Sequence, residues 1–416
     1  MMHHSLAHTC ILGGAFACAA AHLIAPSSSI AQTGQSSAPS PIAKGSTSSA
    51  QFQKLSARAM ADLDADKLDD AIPLLHKALM LNPRWVEGWW SLGTAYYDQD
   101  RYAEAAFAFQ KVVALDSKHG TAHAMLGLCD FELGEDVAAL KEIEVAKGYG
   151  TDIDPQLRDV VFYHEGLLLQ RAGRFVQSQQ AFSSLCIEEH SSGLMIPALG
   201  MAALHLRDKT LPSPESDEGQ AIQIVGHATC FAAQKDFVSA SREFTLAASR
   251  FPKLPYVHYA YGRALLDAEN VNGAVEEFKR ELAVGHDPIL PRLQIAAAEY
   301  KTDSASGLPY AKEAVQLAPQ MPFAHFLLGL LLLNTGEFEK AVPELENASK
   351  GLPDQPDVFW SLASAYGHVG RTHDALKARA EFARLKQKAA QEPGAEQASE
   401  DVPLGNLSGD GAPQPK

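Results

Sequence analysis

His227 and Cys230 are the two residues whose types and spacing come nearest to chemistry. Three apart, they would share one face of a helix and could give a zinc ion two of its ligands. No second pair at matching spacing exists elsewhere in the chain, so the simpler reading makes them packing residues. His164-Glu165 raises the same question, but no further histidine follows at helical spacing. The sequence has no GxSxG, no P-loop, no HExxH and no glycine-rich turn of the dinucleotide type. Its sixteen histidines are scattered. Cys10 and Cys18 lie near the start, while Cys129, Cys186 and Cys230 are odd in number, far apart and without a CxxC. They read as structural thiols rather than a disulfide framework. No catalytic residue, metal site or cofactor is expected, and function has to be sought on a surface.

The elements that would build that surface repeat every 34 residues. Registers start near residues 52, 86, 120, 159, 221, 255, 288, 322 and 356. The eighth column reads Ala59, Gly93, Gly127, Gly166, Ala228, Gly262, Ile295, Gly329, Ala363. The twentieth is small throughout, as at Ala105 and Ala341, and the twenty-fourth is large, as at Leu75, Phe109, Ile143, Phe182, Phe244, Phe278 and Leu345. Small residues at fixed spacing let two antiparallel helices approach, and the large ones are expected to fill the gap toward the next hairpin. Gly134, Gly173, Gly336 and Gly370 mark turns between paired helices, and Pro83, Pro252, Pro319 and Pro353 follow second helices that they cannot continue. The register starting at 288 fits worst, because Ile295 and Ala311 reverse the expected sizes.

This pattern, clearest in Trp89-x-x-Leu92-Gly93-x-x-Tyr96 with Ala105 and Phe109, resembles the tetratricopeptide repeat family. The resemblance implies an all-α fold, a right-handed α-solenoid of about nine helix hairpins, since one hairpin cannot bury its apolar face alone. It further implies that the fifth column points from each first helix into a concave groove. That column reads Ser56, Trp90, Ala124, Tyr163, Val225, Tyr259, Arg292, Phe326, Trp360, and neighbouring columns add Tyr97, Phe131, Tyr256, Arg263 and Phe323. Such rings could line a peptide-binding groove or pack against adjacent repeats, and both readings stand at this point. Family members that clamp acidic chaperone termini use Lys and Asn on first helices. The corresponding positions here hold Trp90, Thr94, Ala124 and Leu128, so that partner class is not expected.

The ends differ in kind. Residues 1–31 contain no Lys, Arg, Asp or Glu, and Cys10 to Ala25 is largely apolar, which reads as a signal peptide cleaved before Gln32. That stretch is too short and too interrupted to span a membrane. Residues 32–51 are expected to be a disordered tether and 389–416 a disordered acidic tail. Between them lie a block of four repeats (52–192), a degenerate helix from Leu194 to Leu206 with a flexible joint (193–220), and a block of five repeats with a C-terminal cap (221–388). A net charge of −15 argues against nucleic acid and against anionic lipid. The expected function is a non-enzymatic scaffold that binds protein or peptide segments in the periplasm or outside the cell. An accessory role in an envelope, secretion or polysaccharide-export complex is the alternative, with membrane association through partners, and homo-oligomerisation is a further one.

Overall fold

The computed structural model describes residues 43–150, 153, 155–187, 194–207 and 210–391. Among these are nineteen helices and no strand. Contacts divide the chain into two units between His164 and Glu165. The expected division at 193–220 is not where it falls. The first unit pairs α1 (Ala43–Asp64) with α2 (Leu68–Leu81), α3 (Val86–Tyr97) with α4 (Tyr102–Leu115), and α5 (Gly120–Glu132) with α6 (Asp136–Gly148), then enters α7 (Pro155–Arg171). The second holds the rest of α7, α8 (Phe175–Ile187), α9 (Met195–Ala203) and α10 (Asp217–Ala233) with α11 (Phe237–Arg250). It continues with α12 (Val257–Asp267) and α13 (Val271–Val284), α14 (Leu290–Thr302) and α15 (Ser304–Leu317), α16 (Pro322–Asn334) and α17 (Phe338–Gly351), and α18 (Pro356–His368) and α19 (Thr372–Gln391).

What sets the spacing of the glycine-bearing repeat hairpins is a contact between the eighth and twenty-fourth columns. A Cβ placed on Gly93 would lie 2.8 Å from Phe109, on Gly166 2.5 Å from Phe182, on Gly262 2.6 Å from Phe278 and on Gly329 2.6 Å from Leu345. The large residue therefore abuts the glycine of its own hairpin, where the sequence suggested that it reached toward the next. In the hairpin of α14 and α15 the sizes are exchanged, Ile295 on the first helix and Ala311 on the second, and both are fully buried. Both positions stay buried although the pattern looks broken.

Most hairpins turn through a left-handed residue after the first helix, whereas α14 and α15 are joined through Asp303 at φ −149°. Glycine supplies it at Gly134 and Gly336, with φ of +80° and +77°. Asp66, Asp100, Lys235 and Glu269 occupy the same column with φ between 56° and 61°, a conformation that costs a residue with a Cβ about 1–2 kcal/mol. The hydrogen-bond pattern is common to both kinds, Glu135 N–H donating to the Asp130 carbonyl and Arg101 N–H to that of Tyr96.

Four differences from the sequence reading concern boundaries and cysteines. Helix α1 starts at Ala43, so residues 43–51 are helical where a tether was expected. Helix α9 is shorter than Leu194 to Leu206, and α10 begins at Asp217, inside the expected joint, because the Ser216 hydroxyl caps it by accepting from Gly219 N–H at 3.0 Å. Helix α19 runs on to Gln391; the expected leader at 1–31 and the rest of the tail lie outside the described residues. Cys186 and Cys230, read as thiols, form a disulfide. Their 44-residue separation hides the pairing, which arises only because α8 and α10 pack together. Cys129 is a buried free thiol, and its burial pushes its pKa up. No helix among the described residues is long and apolar enough to cross a membrane.

The column contact makes a testable statement. Gly262→Val should lower unfolding free energy by about 1–3 kcal/mol through overpacking against Phe278, and Phe278→Leu in the same chain should recover part of the loss. Urea denaturation of the single and double variants measures both, and purely additive losses would count against the contact.

Candidate interaction groove

In the second unit the C-terminal halves of the first helices α10, α12 and α14 line up beside α8 and enclose a groove of about 860 Å3. Its lining includes the small residues Ala232, Ala233, Ala264, Ala297 and Ala298, together with apolar Val176, Phe244 and Leu266. Its walls carry amides and charges. Gln179 and Gln180 come from α8, Arg263 and Asp267 from α12, and Gln294 and Lys301 from α14. Desolvation raises the Asp267 carboxyl above its ordinary range, and the Arg263 guanidinium one helical turn away opposes that rise. Donors, acceptors and both signs of charge beside alanines suit an extended polypeptide better than a compact apolar ligand. Among the described residues, no group of three His, Cys, Asp or Glu side chains could hold a metal ion.

Of the ten residues expected on such a surface, only Arg263 lines this groove. Tyr97, Phe131, Tyr259 and Phe326 are buried, at 3%, 7%, 2% and 1% exposure, which leaves them almost nothing to offer a partner. Burial raises the Tyr97 phenol pKa, and its ring meets Tyr102 edge-on. Phe131 packs edge-on to His164 at 4.6 Å. Tyr259 accepts a hydrogen bond from Gln294 Nε2 at 3.2 Å. The other rings are half-buried in contacts of their own. Trp90 lies against Phe109 and stacks on His119, Tyr163 meets His164, Phe323 meets Phe326, and Trp360 packs on Phe382 of α19. Tyr256 stacks on His205 at 4.3 Å, and its hydroxyl donates to Asp287. Its backbone N–H and that of Tyr259 donate to Glu281, a fully buried carboxylate on α13 that caps the start of α12.

A second set of polar residues escaped the sequence reading. His123 Nδ1 lies 2.7 Å from Glu142, His258 Nδ1 2.7 Å from Glu277, and His325 Nδ1 2.5 Å from Glu344. Each pair joins the fourth column of a first helix to the twenty-third column of its partner helix. The other ring nitrogens of His123 and His325 face the carbonyls of Ser117 and Pro319, so each ring sits between two acceptors. A neutral imidazole can donate to one acceptor; an imidazolium donates to both. The signal was a histidine followed nineteen residues later by a glutamate, in three registers, and it shows only when the repeats are aligned. The pairs tie helix to helix within a hairpin and lie outside the groove.

Comparison with known proteins agrees with this architecture. Residues 56–119, 92–156 and 294–356 match the tetratricopeptide repeat family model. Those stretches carry the family's repeat, and they fall on the paired helices described above. Among solved structures it is similar to YrrB, described as a TPR protein with an unusual peptide-binding site, at 18% identity and a TM-score of 0.37, covering 45% of this chain and 100% of that one. MamA is similar at 21% identity and a TM-score of 0.37, over 44% of this chain and 100% of its own. A tetratricopeptide repeat protein from Parabacteroides merdae ATCC 43184 is similar at 15% identity and a TM-score of 0.32, over 68% of this chain and 99% of its own. Likenesses at this level carry no argument about partners. No curated protein matches the chain significantly.

Asp130, on α5 near the His123–Glu142 pair, gives a pH prediction. Burial, then Glu142 and Glu135, raises its pKa to about 6 from 3.8. The folded chain therefore holds this proton more tightly than the unfolded one, so Asp130 costs stability as pH rises from about 4 through 6. Asp130→Asn should melt higher than the parent at pH 7.5, and the difference should shrink toward pH 4. Melting curves at the two pH values check it.

Proposed function

We propose that this chain is a non-enzymatic scaffold for protein–protein interaction, acting outside the cytoplasm, and that the groove of its second unit holds an extended polypeptide segment. The groove itself carries the reading: a volume of about 860 Å3 with alanines in its lining, beside Arg263, Lys301 and the amides of Gln179 and Gln180. Amide side chains on the walls can pair with a guest backbone, and the two cations can receive a guest carboxylate. Repeat hairpins commonly present such a surface, which supports the interaction role. Export is supported by the uncharged first 31 residues and by the Cys186–Cys230 disulfide, a bond favoured in oxidising compartments.

A display selection of random peptides on the full chain supplies the probe. Peptides so selected should lose at least tenfold in affinity, about 1.4 kcal/mol, on Arg263→Ala/Lys301→Ala and on the groove-filling Ala298→Trp, by fluorescence polarisation with helicity checked in parallel. Equal affinity for the parent and both folded variants would refute the groove as the binding surface. N-terminal sequencing of the chain expressed in a bacterial host tests the compartment, with extracytoplasmic recovery beginning at Gln32 as the expected result.

A further inference from the structure

Helices α8 and α10, which both line the groove, are fastened to each other covalently. Cys186, in the last turn of α8, is bonded to Cys230 in α10, with Cα atoms 5.6 Å apart. Both cysteines are buried, at 0% and 7% exposure. Their neighbours on the same helices face the groove: Ser183 and Ile187 beside Cys186, Thr229 and Ala233 beside Cys230. The bond thus joins α8 to α10 directly, across a sequence separation of 44 that includes α9. Polar links that help hold the α8 wall include Gln234 Nε2 donating to the Cys186 carbonyl at 2.9 Å and Gln179 Nε2 to that of Ala202 at 3.3 Å.

We propose that this groove exists as a formed surface only in the oxidised chain, the Cys186–Cys230 bond acting as the latch that sets its width. The inference rests on reading the groove as the binding surface, but its test uses no ligand. Closing the latch is a thiol–disulfide exchange. The Cys186 and Cys230 thiols lose two protons and two electrons to a low-molecular-weight disulfide such as oxidised glutathione, which leaves as two thiols. A dithiol reverses it, becoming a cyclic disulfide as the two cysteines take up the protons and electrons. Because Cys186 is fully buried and Cys230 only 7% exposed, an attacking thiolate has little access to the bond while α8 stays against α10. The latch therefore resists reduction while the groove is closed and is lost when the wall opens. Cys129, free and buried in the first unit, takes no part.

Hydrogen exchange read by mass spectrometry on the full chain tests this. Four preparations are compared: the parent oxidised with glutathione disulfide, the parent reduced in urea with dithiothreitol and refolded under reductant, Cys186→Ala/Cys230→Ala, and Cys129→Ser. Amides in 175–187 should exchange at least tenfold faster in the reduced parent and the double variant than in the oxidised parent, with Cys129→Ser unchanged. A peptide pair linked through Cys186 and Cys230 should be recovered only from the oxidised parent and Cys129→Ser. If the double variant loses helicity, the reduced parent alone decides. Equal protection of 175–187 in oxidised and reduced chains, or no linked pair after oxidation, overturns the proposal. A normal latch with no selected peptide would instead count against the binding role and leave the latch standing.

Discussion

The distance between the two helices of a hairpin is set where a first-helix glycine or alanine meets a large second-helix side chain. The polar links between paired helices are built at that distance. A hydrophobic contact has no direction of its own, but a glycine leaves room for one side chain of limited size, and that turns greasy attraction into a fixed separation. Once the helices stand at that separation, His258 on one reaches Glu277 on the next, and Glu281 reaches the first backbone N–H groups of α12. A wider hairpin would leave those polar groups buried without partners, a costly outcome. Packing therefore comes first, and the polar links hold because it does.

The fold was largely legible because this contact leaves a trace in the sequence. Size alternates at fixed columns, and the left-handed turn favours glycine at another. The least regular register was the instructive one. With Ile295 and Ala311 the individual residues break the pattern while their sum keeps it. Column-by-column reading misses compensation between two columns, since the physics constrains volume and not identity.

The surface was legible only in part. Aromatic rings stood out along the fifth column and its neighbours, and they suggested a lined groove. Yet large rings are the side chains that gain most from burial, and Tyr259 and Phe326 went to the interior. The groove is lined instead by Arg263, Asp267, Lys301, glutamines and alanines, residue types ordinary on any helix and therefore silent in a sequence. The disulfide was silent for another reason. Nothing local marks Cys186 and Cys230 as partners, because their meeting depends on how α8 and α10 pack around α9.

The reversed sizes of Ile295 and Ala311 bear on how such a chain can change by duplication or shuffling. A stretch of gene copied from one repeat to another carries its first helix, its second helix, or both. Copying α14 alone beside a second helix that bears Phe or Leu would set two large residues at one crossing, and copying α15 alone beside a glycine-bearing first helix would leave a hole. Moved together, the two helices bring their own match. For this register the heritable module is the whole hairpin, and successful recombination joints should fall between hairpins, where no such matched pair is split.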